Sequence, residues 1–275
     1  MQIKYVCPFW GQEGSSPLTF ITKVKDSGYE AIEMNIPQEK TFEEELKKLI
    51  PKSNLDFIGQ QWLEPRNESV NSYIQRLEKR LYKLAEFNPI FINSHTGRDF
   101  YSFDENSKIL ERIFQFEEET EIPVYHETHR GRFNYCARAY DNFQKVFPSL
   151  KLTADFTHWT VVSETLLHDQ QESLNTAIAN SYYFHARVAD TQRSQIYDPF
   201  TSENELYLST FLKWWEKILQ TAKQNGKKNF YICPEFGPAP YMQTISNSSQ
   251  PVVDQWELNI EMMKYLKKKF TNTIL

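Results

Sequence analysis

Four short stretches in the second half of the chain each carry, at or near their ends, a residue type that binds cations. They are Tyr125-His126-Glu127-Thr128-His129, Thr153-Ala154-Asp155, Phe184-His185-Ala186-Arg187 and Cys233-Pro234-Glu235-Phe236. A carboxylate or imidazole buried alone is costly. Glu127, Asp155, His185 and Glu235 brought to one spot therefore make sense if a cation neutralises them. Three carboxylates and one imidazole form a hard, oxygen-dominated set suited to one divalent cation, Mg²⁺, Mn²⁺ or Co²⁺, with Zn²⁺ also compatible. His126 and His129 stand three apart on a strand-like stretch, not four apart on a helix, so the zinc-protease arrangement is excluded. His168, in a helix-to-loop region, reads as a surface residue.

The elements that must position these groups follow from periodicity. Short runs rich in β-branched and aromatic residues predict eight strands: Ile3–Phe9, Tyr29–Ile36, Leu55–Gln61, Pro89–His95, Val124–Glu127, Leu150–Asp155, Tyr182–Val188 and Phe230–Glu235. Between them lie amphipathic stretches. Glu68–Phe87 sets Val70, Tyr73, Ile74, Leu77, Leu81, Leu84 and Ala85 on one face; Lys108–Glu119, Glu205–Asn225 (stopped by Gly226) and Val253–Phe270 behave alike. Strands alternating with helices imply parallel pairing through right-handed crossovers. Eight such units predict an α/β fold, a (β/α)8 TIM barrel, as a single domain over 1–275. Barrel enzymes build their sites at the C-terminal strand ends, where the four candidate ligands fall. Alternation along a strand points Tyr125 inward with Glu127, Thr153 with Asp155, Arg187 with His185 and Cys233 with Glu235, and turns His126 outward as a structural histidine. The segment from Ala189 to Ser202 reads as a loop over the active face.

Composition sets limits. The chain has 275 residues, 24% of them charged, and a net charge of -5. An acidic surface argues against nucleic acid as a partner. No stretch approaches the roughly 20 apolar residues of a membrane span. Three cysteines without motif spacing fit a reducing compartment, and the first residues lack a signal-peptide pattern, so a cytoplasmic location is expected. Neither G-x-G-x-x-G nor G-x-x-x-x-G-K-[ST] occurs, which removes the main support for nucleotide binding.

The order Glu127, Asp155, His185, Glu235 on strands five to eight resembles the xylose-isomerase-like TIM barrel superfamily. Pro123–Arg132 is similar to that group's Glu-bearing strand and Asp155-Phe-Thr-His158 to its Asp-x-x-His segment. Phe184-His-Ala-Arg-Val188, followed by Asp198-Pro199, and Pro234-Glu-Phe-Gly237 resemble the branch of sugar phosphate isomerases and epimerases. The resemblance implies Glu127, Asp155, His185 and Glu235 as metal ligands and His158 as a further pocket histidine. It also implies Glu127 and Glu235 as the catalytic acid and base on opposite faces of the substrate. In the ketose-epimerase branch an arginine follows the metal-binding histidine by about six residues; here Arg187 follows by two and Arg193 by eight.

The implied activity is that of a divalent-metal-dependent isomerase or epimerase of carbohydrate metabolism. It would act on a sugar, sugar phosphate or keto-sugar by proton abstraction beside a carbonyl, through a metal-bound enediolate. Substrate contacts are expected from His158, His95 and Arg187, with Trp10, Gln61 and Trp62 as walls at the ends of strands one and three. A sugar dehydratase or 3-keto-glycoside lyase on the same site is the alternative. An endonuclease-IV-like phosphodiesterase would need more ligands and a basic face, and a non-catalytic sugar-binding barrel would not need the metal set. The partner is a small carbohydrate, and a homodimer is open to the chain.

Overall fold

A computed structural model describes residues 1–271; the last four residues of the expected 1–275 domain lie outside them. Eight parallel strands close into a barrel in sequence order: β1 (Gln2–Pro8), β2 (Ala31–Met34), β3 (Asp56–Gln61), β4 (Ile92–Ser94), β5 (Val124–Glu127), β6 (Leu152–Ala154), β7 (Ser181–His185) and β8 (Asn229–Cys233). The helices are α1 (Pro17–Asp26), α2 (Lys40–Ser53), α3 (Val70–Ala85), α4 (Phe103–Thr120), α5 (Ala137–Val146), α6 (Phe156–Ser163), α7 (Gln171–Ala179), α8 (Glu205–Gln224) and α9 (Gln255–Thr271). Closure is made by β1 on β8, where Ile3 pairs with Phe230. None of the described helices is long and apolar enough to cross a membrane.

Local chemistry explains where helices begin and end. Ser16 caps α1 by accepting from the Thr19 backbone N–H, with Pro17 in the first turn. Ser102 and Glu105 form a reciprocal capping box on α4. Gly226 takes a left-handed φ of 72° just past α8, a conformation that suits glycine. On α8, Leu208, Phe211, Leu212, Trp215, Leu219 and Ala222 recur every three or four residues and are buried. Trp215 stacks on Phe184 of β7 at 5.6 Å. Trp214 and Trp215 are thus core residues.

The barrel interior is built in layers. Val6, Ala31, Ile58, Phe91, Tyr183, Tyr231 and Cys233 form one apolar cluster, with Tyr125 packed against it. Below it, toward the N-terminal strand ends, Lys4 pairs with Asp56 at 2.5 Å and Tyr231 donates to Asp56 at 2.8 Å. Two residues further along the strands from the apolar layer stand Glu33, Gln60, Asn93, Glu127, His185 and Glu235. Asp155 stands two residues beyond Thr153. Period-two alternation therefore makes the apolar layer the floor of a polar one.

Candidate active site

The polar layer opens into a cavity of about 450 Å³ lined by residues that include Trp10, Gln60, Trp62, His95, Glu127, His129, Arg187, Glu235 and Tyr241. Glu127 closes β5 and His185 closes β7, while Glu235 lies two residues past β8. Asp155 sits between β6 and α6 and is the N-cap of that helix, its Oδ1 accepting from the Thr157 N–H at 3.1 Å. That placement brings His158, one turn into α6, back onto Asp155: His158 Nε2 lies 3.8 Å from Asp155 Oδ2.

The donor atoms of Glu127, Asp155 and His185 lie within 4.8 Å of one another, and all three residues are buried. Glu235 joins them through His185, whose Nδ1 is 2.9 Å from Glu235 Oε2 and 3.8 Å from Glu127 Oε2. The Nδ1 atom is buried without an aligned hydrogen bond. An orphaned imidazole nitrogen facing two carboxylates is the arrangement expected of ligands to one ion. The set therefore fits a hard divalent cation on its donor chemistry. Asp155 has a competing partner in the Arg187 guanidinium, which ion-pairs with its Oδ2.

Electrostatics separate the two cavity-facing glutamates. Burial raises the Glu127 carboxyl, but His95 and His185 outweigh it and hold the group well below the usual carboxylate range. Burial pushes Glu235 up, and His185 offsets that only in part. Burial would lower the His185 imidazole, yet Glu235, Glu33 and Glu127 together raise it well above its ordinary value. Burial and then His129 and Arg187 depress His158. His126 faces away from this layer, its Nδ1 2.8 Å from Thr96 Oγ1, and burial takes it down to about 3.

Each residue expected to touch substrate has a definite place. His95, Trp10, Trp62 and Arg187 line the cavity. His158 is fully buried at its edge, with Nε2 3.0 Å from Arg187 Nη2. Gln61 does not line the cavity: its Oε1 accepts from Ser94 at 2.7 Å, and Gln60 of the opposite strand parity takes the wall position. The segment from Ala189 to Ser202 does not line the cavity either. Gln195 clamps it to the β8 loop through both backbone groups of Gly237, at 2.7 and 3.1 Å. The wall on that side is Tyr241, whose ring stands 5.0 Å from Trp10 and 4.9 Å from the Arg187 guanidinium. Trp10 in turn packs closely against Gly237, where a Cβ would come within 2.0 Å of the indole.

Three residues escape the strand-end reasoning. Glu33 of β2 is 1% exposed and receives Tyr183 Oη at 2.5 Å, Asn93 Nδ2 at 3.0 Å and His185 Nε2 at 3.3 Å. Asn93 also donates to Glu127 at 2.8 Å. The signal for Glu33 was a charged residue inside the apolar run Tyr29–Ile36. The third is His129, two residues past Glu127 and so on the same inward parity; its ring lies 4.8 Å from His95 and 3.9 Å from His158.

No family model matches the chain, and no curated protein matches it. Solved structures do, along nearly their whole length. A xylose isomerase-like TIM barrel protein from Mycobacterium smegmatis, in complex with magnesium, aligns with a TM-score of 0.65 at 10% identity over 99% of this chain and 98% of its own. A D-psicose 3-epimerase with D-tagatose from Clostridium cellulolyticum H10 aligns at 0.64 and 12% identity, over 96% and 98%. A probable 3-DHS dehydratase from Bacillus anthracis aligns at 0.61 and 16% identity, over 96% and 98%. The protein is a (β/α)8 barrel. Its fold is that of the xylose isomerase-like TIM barrels.

Proposed function

We propose that the chain is a divalent-metal-dependent sugar isomerase or epimerase. The observation that carries the reading is the division of labour within the four candidate ligands. Glu127 and Glu235 face the cavity, while Asp155 and His185 sit behind them. The four would hold the ion. When bound, it would polarise a substrate oxygen as a Lewis acid.

The remaining work falls to side chains of the barrel. Glu127, kept ionised beside His95 and His185, is the group placed to take a proton from the carbon next to a carbonyl. Glu235, across His185 and raised by burial, is the group placed to return one. His95 and Arg187 present N–H groups to substrate oxygens. Trp10, Trp62 and Tyr241 offer aromatic faces to the C–H side of a sugar and narrow the access of water. A cavity of about 450 Å³ suits a small monosaccharide-sized molecule.

The test is exchange. Ketoses, their phosphates and 3-keto-glycosides incubated with the metal-loaded protein in deuterated water should gain deuterium at one carbon. Glu127→Gln and Glu235→Gln should each slow this by about 10²-fold or more. A product lacking water or an aglycone would assign a dehydratase or lyase on the same site. Exchange at the wild-type rate in both variants would refute the assignment of the two glutamates.

A further inference from the structure

The cavity has two chemically different sides. The candidate ligands come from β5 to β8, and β2 and β3 stand across the closed barrel from β6 and β7. On that far side the lining includes Glu13, Asn35 and Gln60. We propose that the substrate is an unphosphorylated sugar: Asn35 and Gln60 hold its hydroxyls at the end remote from the ion, and the site turns a phosphate away there. The inference rests on the isomerase or epimerase reading of this site.

Both amides are set to grip hydroxyls. Asn35 stands two residues beyond Glu33 and shares its inward parity. Its Oδ1 accepts from Arg80 Nη2 at 2.6 Å, and the same nitrogen donates to the Ile36 carbonyl at 2.7 Å. The buried guanidinium therefore fixes the amide, leaves Nδ2 for the cavity and polarises it as a donor. Gln60 lines the cavity from β3, and its amide is committed to no hydrogen bond among the described residues. An amide offers both a donor and an acceptor, which matches a hydroxyl.

A phosphate at that end would meet neither a free cation nor a cradle of backbone N–H groups. Among the described lining residues the fixed positive charge is that of Arg187, and Asp155 already neutralises it. Arg80 is buried behind Asn35. Arg130, 5.3 Å from the Tyr241 ring, stands outside the lining. In barrels a phosphate commonly sits on the loops after strands seven and eight. Here the N–H groups of the turn after β8 are spent within the chain: Phe236 donates to Asn259 Oδ1 and Gly237 to Gln195 Oε1, each at 2.7 Å. Glu13, its carboxylate held by the Gly11 N–H at 2.9 Å, adds negative charge on the far side. Like charges facing one another across a site discriminate strongly between ligands.

The test sets ketopentoses and ketohexoses beside their terminal phosphates, with the Mn²⁺-loaded protein in deuterated water. A free sugar should gain deuterium with kcat/KM at least about 10-fold above that of its own phosphate. A phosphate exchanging as well as its parent sugar, or better, would overturn the proposal and leave the isomerase or epimerase reading standing. Exchange in neither would overturn both. For the best free sugar, calorimetric titration then compares the wild type with Asn35→Asp, which keeps the Arg80 contact but removes the donor, and with Gln60→Met, which keeps the length. Each folded variant should bind that sugar about 3–10-fold more weakly, with exchange at saturation close to wild type. Wild-type affinity in both variants would overturn the proposed grip.

Discussion

Replacing Glu33 by Gln isolates a residue that touches no cavity yet governs the orientation of His185. The carboxylate receives three donors, the Tyr183 phenol at 2.5 Å, the Asn93 amide at 3.0 Å and His185 Nε2 at 3.3 Å. A Gln side chain keeps the shape but turns one oxygen into an NH₂ group, so at least one donor then faces another donor. Hydrogen bonds to a charged acceptor are worth roughly 1.5–3 kcal/mol, and a stranded buried donor costs about 1–3 kcal/mol. A net destabilisation of about 3 kcal/mol follows, or roughly 6–12 °C in Tm for a chain near this size. The functional consequence is separate. With Nε2 no longer held by an acceptor, His185 is free to change tautomer or rotate, and Nδ1 stops pointing at Glu127 and Glu235. Losing such a partner weakens metal binding about 10–100-fold. The assay is titration of the folded protein with Mn²⁺ at a temperature well below both melts, with Tyr183→Phe alongside. That control removes a Glu33 contact without touching the one to His185, so it should lose stability but keep its affinity. If Glu33→Gln melts lower yet binds Mn²⁺ as tightly as the wild type, Glu33 is only a packing residue and the positioning argument is wrong.

Gly237→Ala would push a methyl group to within 2.0 Å of the Trp10 indole. The ring should swing off the cavity wall, and turnover at low substrate should fall roughly 10-fold or more, since small misplacements near the chemistry are expensive; unchanged kcat/KM would show that Trp10 is no wall. The His126 imidazole is depressed from its ordinary 6.5 to about 3 by burial, so the sign is fixed. Between those values the unfolded chain binds a proton that the folded chain refuses, and stability falls as pH drops through the window. At pH 5 the loss relative to pH 7 is about 2 kcal/mol. His126→Gln should remove that part of the slope in urea midpoints measured from pH 7 to 5, whereas identical slopes would contradict the assignment.

Much of the barrel was legible because its signals are periodic. Each of the eight predicted strand runs overlaps an observed strand, since a strand buried on both faces reads as an apolar run whatever its neighbours. α3, α4, α8 and α9 announce themselves through one apolar face each. α6 does not. Its residues Phe156, Thr157, His158, Trp159 and Thr160 are all buried, so no amphipathic period marks it, and the sequence places His158 near Asp155 only by resemblance. The four candidate ligands stood out because they end strands. Glu33 and Asn93 sit inside strands, where a polar residue is visible but its partners, on β4 and β7, are set by closure of the barrel. His129 was within reach of the same alternation that oriented Glu127. Tyr241 lies in an irregular segment after β8, and only the path of that segment brings it over Arg187. The displacement of Gln61 by Gln60 is a one-residue matter of parity, the error to which strand reasoning is most exposed.

The claim on which the account turns is that Glu127, Asp155, His185 and Glu235 hold a divalent ion. Elemental analysis of the protein reconstituted with Mn²⁺, beside Asp155→Asn and His185→Ala, tests it directly. The account predicts at least one ion per chain in the wild type and loss of that ion in both variants, each still folded by circular dichroism. A folded wild type that retains no metal, or variants that retain as much as the wild type, would contradict it.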